Sequence, residues 1–290
     1  MWEAVDHGPH QSSLSPEAIA HFAEESAAKV LAGQAKLALW DNIKDNPPLQ
    51  LKISPIAAIP HKSKAFRSIL DLLFRLRLKN GGFLESVNNS TLKLAPKGAL
   101  DQLGHSLSRI IHAFTETPSE SKIFMVKWDI KDGFWRMDCK AGEEYNFAYV
   151  LLQEKGKPIR LVVPTSLQMG WVESPPYFCA ATKTVRDIAS TYCDTNVGSL
   201  TPHKFIHLVT GEDVDFSALP ITSVGSASND LHYALEVYMD DFMSIVIPTS
   251  QQQLQHVATA ITTGIHDVFP ANIVDANDPI SEKKLLKGEG

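Results

Sequence analysis

The spacing of apolar and polar positions changes several times along the chain, and each change predicts an element. Ser15-Pro16-Glu17 opens a helix, with Ser15 as N-cap and Pro16 at the first helical position. The run from Ala18 to about Ile43, rich in Ala, Leu, Glu and Lys, continues it, and Asn46-Pro47-Pro48 ends it. Residues 1–14 are polar and predicted to be loosely attached. Residues 51–95 read as short strands and turns, broken at Gly81-Gly82. Leu94 to Phe114 has helical spacing, opened by Pro96, and Thr117-Pro118-Ser119 is a loop. An apolar run from Ile123 then reads as a buried strand ending on Asp129. Tyr145–Leu152 and Ile159–Val163 alternate like a hairpin turned by Lys155-Gly156-Lys157-Pro158. Ser174, with Pro175 and Pro176 behind it, starts a helix to about Thr191. Residues 194–230 form a polar insertion rich in Gly, Ser and Thr. A strand pair meets at Tyr238-Met239-Asp240-Asp241, and a helix near Gln251–Phe269 should pack back on the sheet. This order predicts an α+β fold, an antiparallel sheet backed by helices.

Two adjacent carboxylates between apolar strand-formers are unfavourable, since both must stay ionised beside a core that disfavours charge. Asp240-Asp241 lies between Leu235-Glu236-Val237 and Phe242–Ile247. A hairpin turn carrying a divalent cation removes the difficulty: the cation offsets the repulsion, and the turn lets neighbouring side chains face one way. The plainer alternative is a surface turn with two solvated aspartates. Asp129 adds a second acidic site at the end of a buried strand. Magnesium takes few protein ligands and completes its shell with water and phosphate oxygens, and two such ions can clamp both oxygens of an in-line phosphoryl transfer.

These motifs, in this order, resemble the reverse transcriptases of retroviruses and LTR retrotransposons. The resemblance runs from about Pro55 onward, through Ile59–Asp71, Asp129 with Phe134, Leu167-Gln168-Met169-Gly170-Trp171 with Ser174-Pro175, and Tyr238-Met239-Asp240-Asp241. It implies a right-hand polymerase with fingers and palm and with the thumb absent, acting as an RNA-directed DNA polymerase. It implies Asp129, Asp240 and Asp241 as catalytic metal ligands for two Mg2+ ions, with Mn2+ as a substitute. Lys62, Lys64 and Arg67 are implied at the triphosphate, and Met169 and Gly170 at the nucleotide. Phe134 would lie under the sugar, where a ring leaves no room for a 2′-hydroxyl. Tyr238 and Met239 would contact the primer, and Lys284 would protonate pyrophosphate as a general acid. Asp132 has two readings, a contact in the triphosphate region or, preferred here, the cap of a helix beginning near Gly133. The implied partners are an RNA or DNA template with primer and deoxynucleoside triphosphates, with no membrane. Retroviral enzymes usually carry Gln directly before the motif Gly; here that place is Met169, and Gln168 is one earlier.

On this reading residues 1–50 are an N-terminal tail and helix, and 51–122 are part of the fingers. Residues 123–290 are the palm, with a further piece of the fingers at 145–165 and the insertion at 194–230. No primer grip, thumb or ribonuclease H domain fits into the remaining length. A polyprotein fragment is therefore expected, or, as the alternative function, an inactive retroelement-derived remnant that keeps the fold and binds nucleic acid.

Composition changes this picture little. The net charge of −6 is unhelpful for a nucleic-acid enzyme, but residues 51–110 hold ten Lys/Arg against three Asp/Glu and residues 194–241 hold one against eight. A basic lobe beside an acidic, metal-holding lobe suits a polymerase. Three cysteines without a C-x-x-C pair suggest a reducing compartment and no structural zinc. The acidic N-terminus lacks a secretory pattern, so an intracellular place, cytoplasm or nucleus, is expected.

Overall fold

The structure is a computed structural model. It describes residues 2–62, 66–101, 103–118, 121, 123–151, 156–203 and 231–269, and the backbone alone of 280–288. The strands are β1 (Ala35–Leu39), β2 (Ile56–Pro60), β3 (Phe66–Leu70), β4 (Leu76–Arg77), β5 (Phe83–Leu84), β6 (Ile123–Ile130), β7 (Tyr149–Leu151), β8 (Arg160–Pro164), β9 (His232–Tyr238), β10 (Asp241–Ile247) and β11 (Ile280–Gly288). The helices are α1 (Trp2–His7), α2 (Pro16–Leu31), α3 (Trp40–Ile43), α4 (Val87–Ser90), α5 (Gly98–Asp101), α6 (Leu103–Thr115), α7 (Ser174–Cys193) and α8 (Gln251–Val268). Helices and antiparallel sheets together make the fold α+β. The chain divides into two compact units, one of residues 1–95 and 134–174, the other of residues 96–133 and 175–290.

In the first unit the N-terminus is built into the core, contrary to the expectation of a loose tail. Ala4 and Val5 are buried, and the Trp2 ring meets Trp40 edge-on at 5.1 Å. The Ser13 hydroxyl donates to the Ile56 carbonyl and accepts from the Ala58 amide, stitching residues 11–13 to β2. The long helix predicted over residues 18–43 is also corrected. Ser15 caps α2 as expected, accepting from the Ala18 amide, but the helix stops at Leu31. Gly33 takes a left-handed φ of +74°, the Gly33 amide bonds the Val30 carbonyl, and the Gln34 amide bonds the Lys29 carbonyl. That double closure is a glycine C-terminal stop. The following Ala-Lys-Leu-Ala-Leu becomes β1, because β8 offers it a full antiparallel ladder from Ala35↔Pro164 to Leu39↔Arg160. Lys36 then reaches the buried Glu144 carboxylate at 2.9 Å. Tertiary pairing overrides helix propensity here. The expected hairpin is present as β7 and β8, while Glu143–Phe147 forms a 3-10 turn.

The second unit is organised by a four-stranded antiparallel sheet in the order β11-β6-β10-β9. The fourth strand, β11, has no counterpart in the sequence expectation. Alternation along β6 sorts its side chains. Phe124, Val126, Trp128 and Ile130 are buried on one face together with Phe242 and Val246 of β10. The opposite face is apolar only at one end, where Ile123, Met125, Ile245 and Ala234 pack under Ile110 of α6. Toward the other end the same face becomes charged. α8 lies tightly on α7: a Cβ at Gly264 would stand 3.2 Å from both the Ala189 amide nitrogen and the Val185 carbonyl oxygen. Just past β6, a Cβ on Gly133 would fall 2.6 Å from the Phe178 ring, so only glycine lets the strand leave over α7.

Candidate active site

The charged end of the sheet gathers residues distant in sequence. Asp241 is the register partner of Asp129 across β10 and β6, and Tyr238 is the partner of Asp241 across β9 and β10. Directly paired antiparallel residues have Cα atoms about 4.5–5.5 Å apart and share a face. Tyr238, Asp241 and Asp129 therefore form one cross-strand row. On the far side of β6, backbone register places Glu282 beside Asp129. The neighbouring row reads Glu236, Met243, Lys127 and Lys284.

Asp240 belongs to the turn. Met239 has φ +58°, and Asp240 is not in the left-handed region. A positive φ confined to the first central residue is the type II′ pattern, which normally favours glycine there. A left-handed backbone at a non-glycine residue costs about 1–2 kcal/mol. The Met239 sulfur lies 3.4 Å from Cys179 Sγ on α7, and the Asp240 carbonyl accepts from the Ile130 amide at 3.1 Å. Those contacts hold the strained turn against the end of β6.

The electrostatics follow from this crowding. Loss of hydration lifts the Asp240 carboxyl above its ordinary value, although the turn itself is exposed. A backbone hydrogen bond opposes the rise, the charges of Asp129 and Asp241 add to it, and Lys127 opposes it. Lys127 also pairs directly with Asp241, Nζ to Oδ1 at 2.9 Å. Sequence reasoning passed over Lys127, yet the signal was there: a lysine two residues before Asp129 in an apolar strand must share its face.

Among the described residues no group of three or more His, Cys, Asp or Glu side chains stands ready to hold a metal ion. The donor chemistry still suits a hard cation. Asp129 and Asp241 are cross-strand register partners, Asp240 adjoins them in the turn, and magnesium needs only one or two carboxylates if water and phosphate supply the rest.

The nucleotide candidates Lys62, Arg67, Phe134, Met169 and Gly170 fall in the first unit. Arg67, exposed on β3, directs Nη2 to the Met169 sulfur at 3.0 Å, so two nucleotide candidates are brought together. Gly170 has φ +95°, and its carbonyl accepts from Asn88 Nδ2 at 2.8 Å. Lys62 lies in an exposed bend before β3. Phe134 is half-buried in the 3-10 turn Gly133–Arg136. Asp132 has φ +56° rather than the extended backbone of an N-cap, and the chain continues from it into that short turn instead of a helix. Lys64 lies outside the described residues, as do the side chain of Lys284 and most of the insertion at 194–230. Among the described residues no helix is long and apolar enough to cross a membrane. A scan against protein-family models and a search of curated proteins return no match.

Proposed function

We propose that this chain is the fingers and palm of an RNA-directed DNA polymerase of retroelement type. The observation that carries the reading is the cross-strand pairing of Asp129 with Asp241, with Asp240 in the adjoining turn. Carboxylates brought to one end of a sheet from positions 111 and 112 apart in sequence suit a phosphoryl-transfer centre. The motif order of the sequence supports the same reading.

Asp129, Asp240 and Asp241 would hold Mg2+, two ions when substrate is present, or Mn2+ in its place. Bound there, the metal would neutralise charge on the reacting phosphate and favour the deprotonated primer 3′-hydroxyl. The chain's own share is positioning. Arg67 and Lys62 bind the triphosphate, Arg67 by its forked donors. Gly170 lets backbone approach the nucleotide. The Phe134 ring rejects a 2′-hydroxyl, Tyr238 and Met239 support the primer end, and Lys284 delivers a proton to the leaving pyrophosphate.

The test is primer extension by the full chain on an RNA template with a DNA primer, deoxynucleotides and Mg2+ or Mn2+. Template-directed incorporation is expected, and Asp129→Asn should lower it at least ~100-fold, the scale on which removing a transition-state charge partner acts. Template binding without incorporation would replace this reading with a non-catalytic remnant.

A further inference from the structure

The acidic centre carries its own counter-ion. Lys127 shares a face with Asp129, and its ammonium sits 2.9 Å from the Asp241 carboxylate. The two side chains are 38% and 34% exposed, so the pair is partly screened but not free in solvent. Along the sheet, Asp241, Asp129 and Glu282 occupy one register row, and Lys127 and Lys284 occupy the next. Asp241 and Asp129 are like charges on adjacent strands, which is unfavourable. A contact reaching diagonally from the neighbouring row relieves that repulsion, and Lys127 to Asp241 is such a contact.

A divalent cation bound by Asp241 competes for the same oxygens. It approaches to about 2.1 Å with twice the charge, so it displaces the ammonium but works against the lost ion pair and the nearby positive charge.

We propose that Lys127 is a resident counter-ion that occupies Asp241 while no divalent cation is bound, and that must give way for one to bind. It thereby weakens and tunes cation affinity at the centre. This rests on reading the carboxylates as a cation centre, and the experiment separates the two claims.

The full chain, wild type, Lys127→Gln, Lys127→Met and Lys127→Arg, is titrated with Mn2+, free ion being followed by electron paramagnetic resonance. Thermal melts of the metal-free proteins at low salt accompany the titration. Lys127→Gln and Lys127→Met should bind Mn2+ about three- to tenfold tighter, the scale of a partly exposed ion pair plus a neighbouring charge. Lys127→Arg should bind like wild type. The metal-free melting temperature should fall in Lys127→Gln, and that loss should vanish in the Asp241→Asn background. Binding of Mn2+ by the Gln and Met variants but not by wild type supports the proposal in its strongest form. Equal affinity in all four proteins overturns the counter-ion role and leaves the cation centre standing. No binding in any of them removes both. Lys127→Met keeps the apolar stem, so it serves if the Gln variant folds poorly.

Discussion

At the residue scale, Asp240 is a group whose folded environment works against its charge. Its carboxyl is held above the usual value by lost hydration and by Asp129 and Asp241. A raised carboxyl favours the folded state below its unfolded value, and that advantage is lost as pH rises through the folded value. At neutral pH the ionised Asp240 therefore destabilises the metal-free fold. Asp240→Asn should raise the metal-free melting temperature by about 1–3 °C at pH 7 and flatten its rise between neutral and mildly acid pH. Both are read from melts across pH in a chelating buffer. On the proposed function the same substitution should also abolish nucleotide incorporation, a gain in stability at the expense of activity.

At the element scale, α6 is fixed to the sheet by a charge clamp. Arg109 holds Glu236 of β9 through two donors, Nη2 to Oε2 at 2.6 Å and Nε to Oε1, and Arg186 of α7 stands 3.6 Å from the same carboxylate. Glu236 is buried while Arg109 is partly exposed, so breaking the pair strands a buried charge with only weak compensation from Arg186. Arg109→Ala should destabilise by about 1–3 kcal/mol, whereas Arg109→Ala combined with Glu236→Leu should recover much of the loss. Urea unfolding of the two variants checks this.

How far such elements could be read in advance depended on whether local or distant forces set them. The α2 cap, the β6 strand, the Tyr238–Asp241 hairpin and α8 were legible because capping and periodicity are local. β1 was not, because Ala-Lys-Leu-Ala-Leu has helical propensity and becomes a strand only through β8. β11 was missed for the same reason, its charged stretch Glu282-Lys283-Lys284 being held by the β6 ladder. In the site, the carboxylates were visible as motif residues, but the Lys127 pairing depended on register.

At the scale of the whole molecule, both units are discontinuous, and the chain passes between them after Ala95, Gly133 and Ser174. The second unit depends on its most C-terminal strand, for β11 closes one side of β6 along its whole length, from Ile280↔Ile130 to Gly288↔Ile123. Truncation before Ile280 should leave that edge unpaired. The expected result is a lower urea midpoint for the second unit and faster amide exchange at alternate β6 positions, with little change in β7 and β8. Equal midpoints for truncated and full chains would show that β11 adds nothing to the sheet.

The position of β6 between β10 and β11 also bears on how the protein is made. Both its partners lie more than a hundred residues later in the chain, so β6 leaves the ribosome with neither edge occupied. At about 5–20 residues per second it waits roughly 6–20 s before the first partner is synthesised. During that interval Ile123–Trp128 is a bare, β-prone segment of the kind that nucleates aggregates. The one charge within it is Lys127, and a single lysine inside such a segment is a gatekeeper against self-association. The residue that neutralises Asp241 in the finished sheet thus guards the same strand while it is still alone.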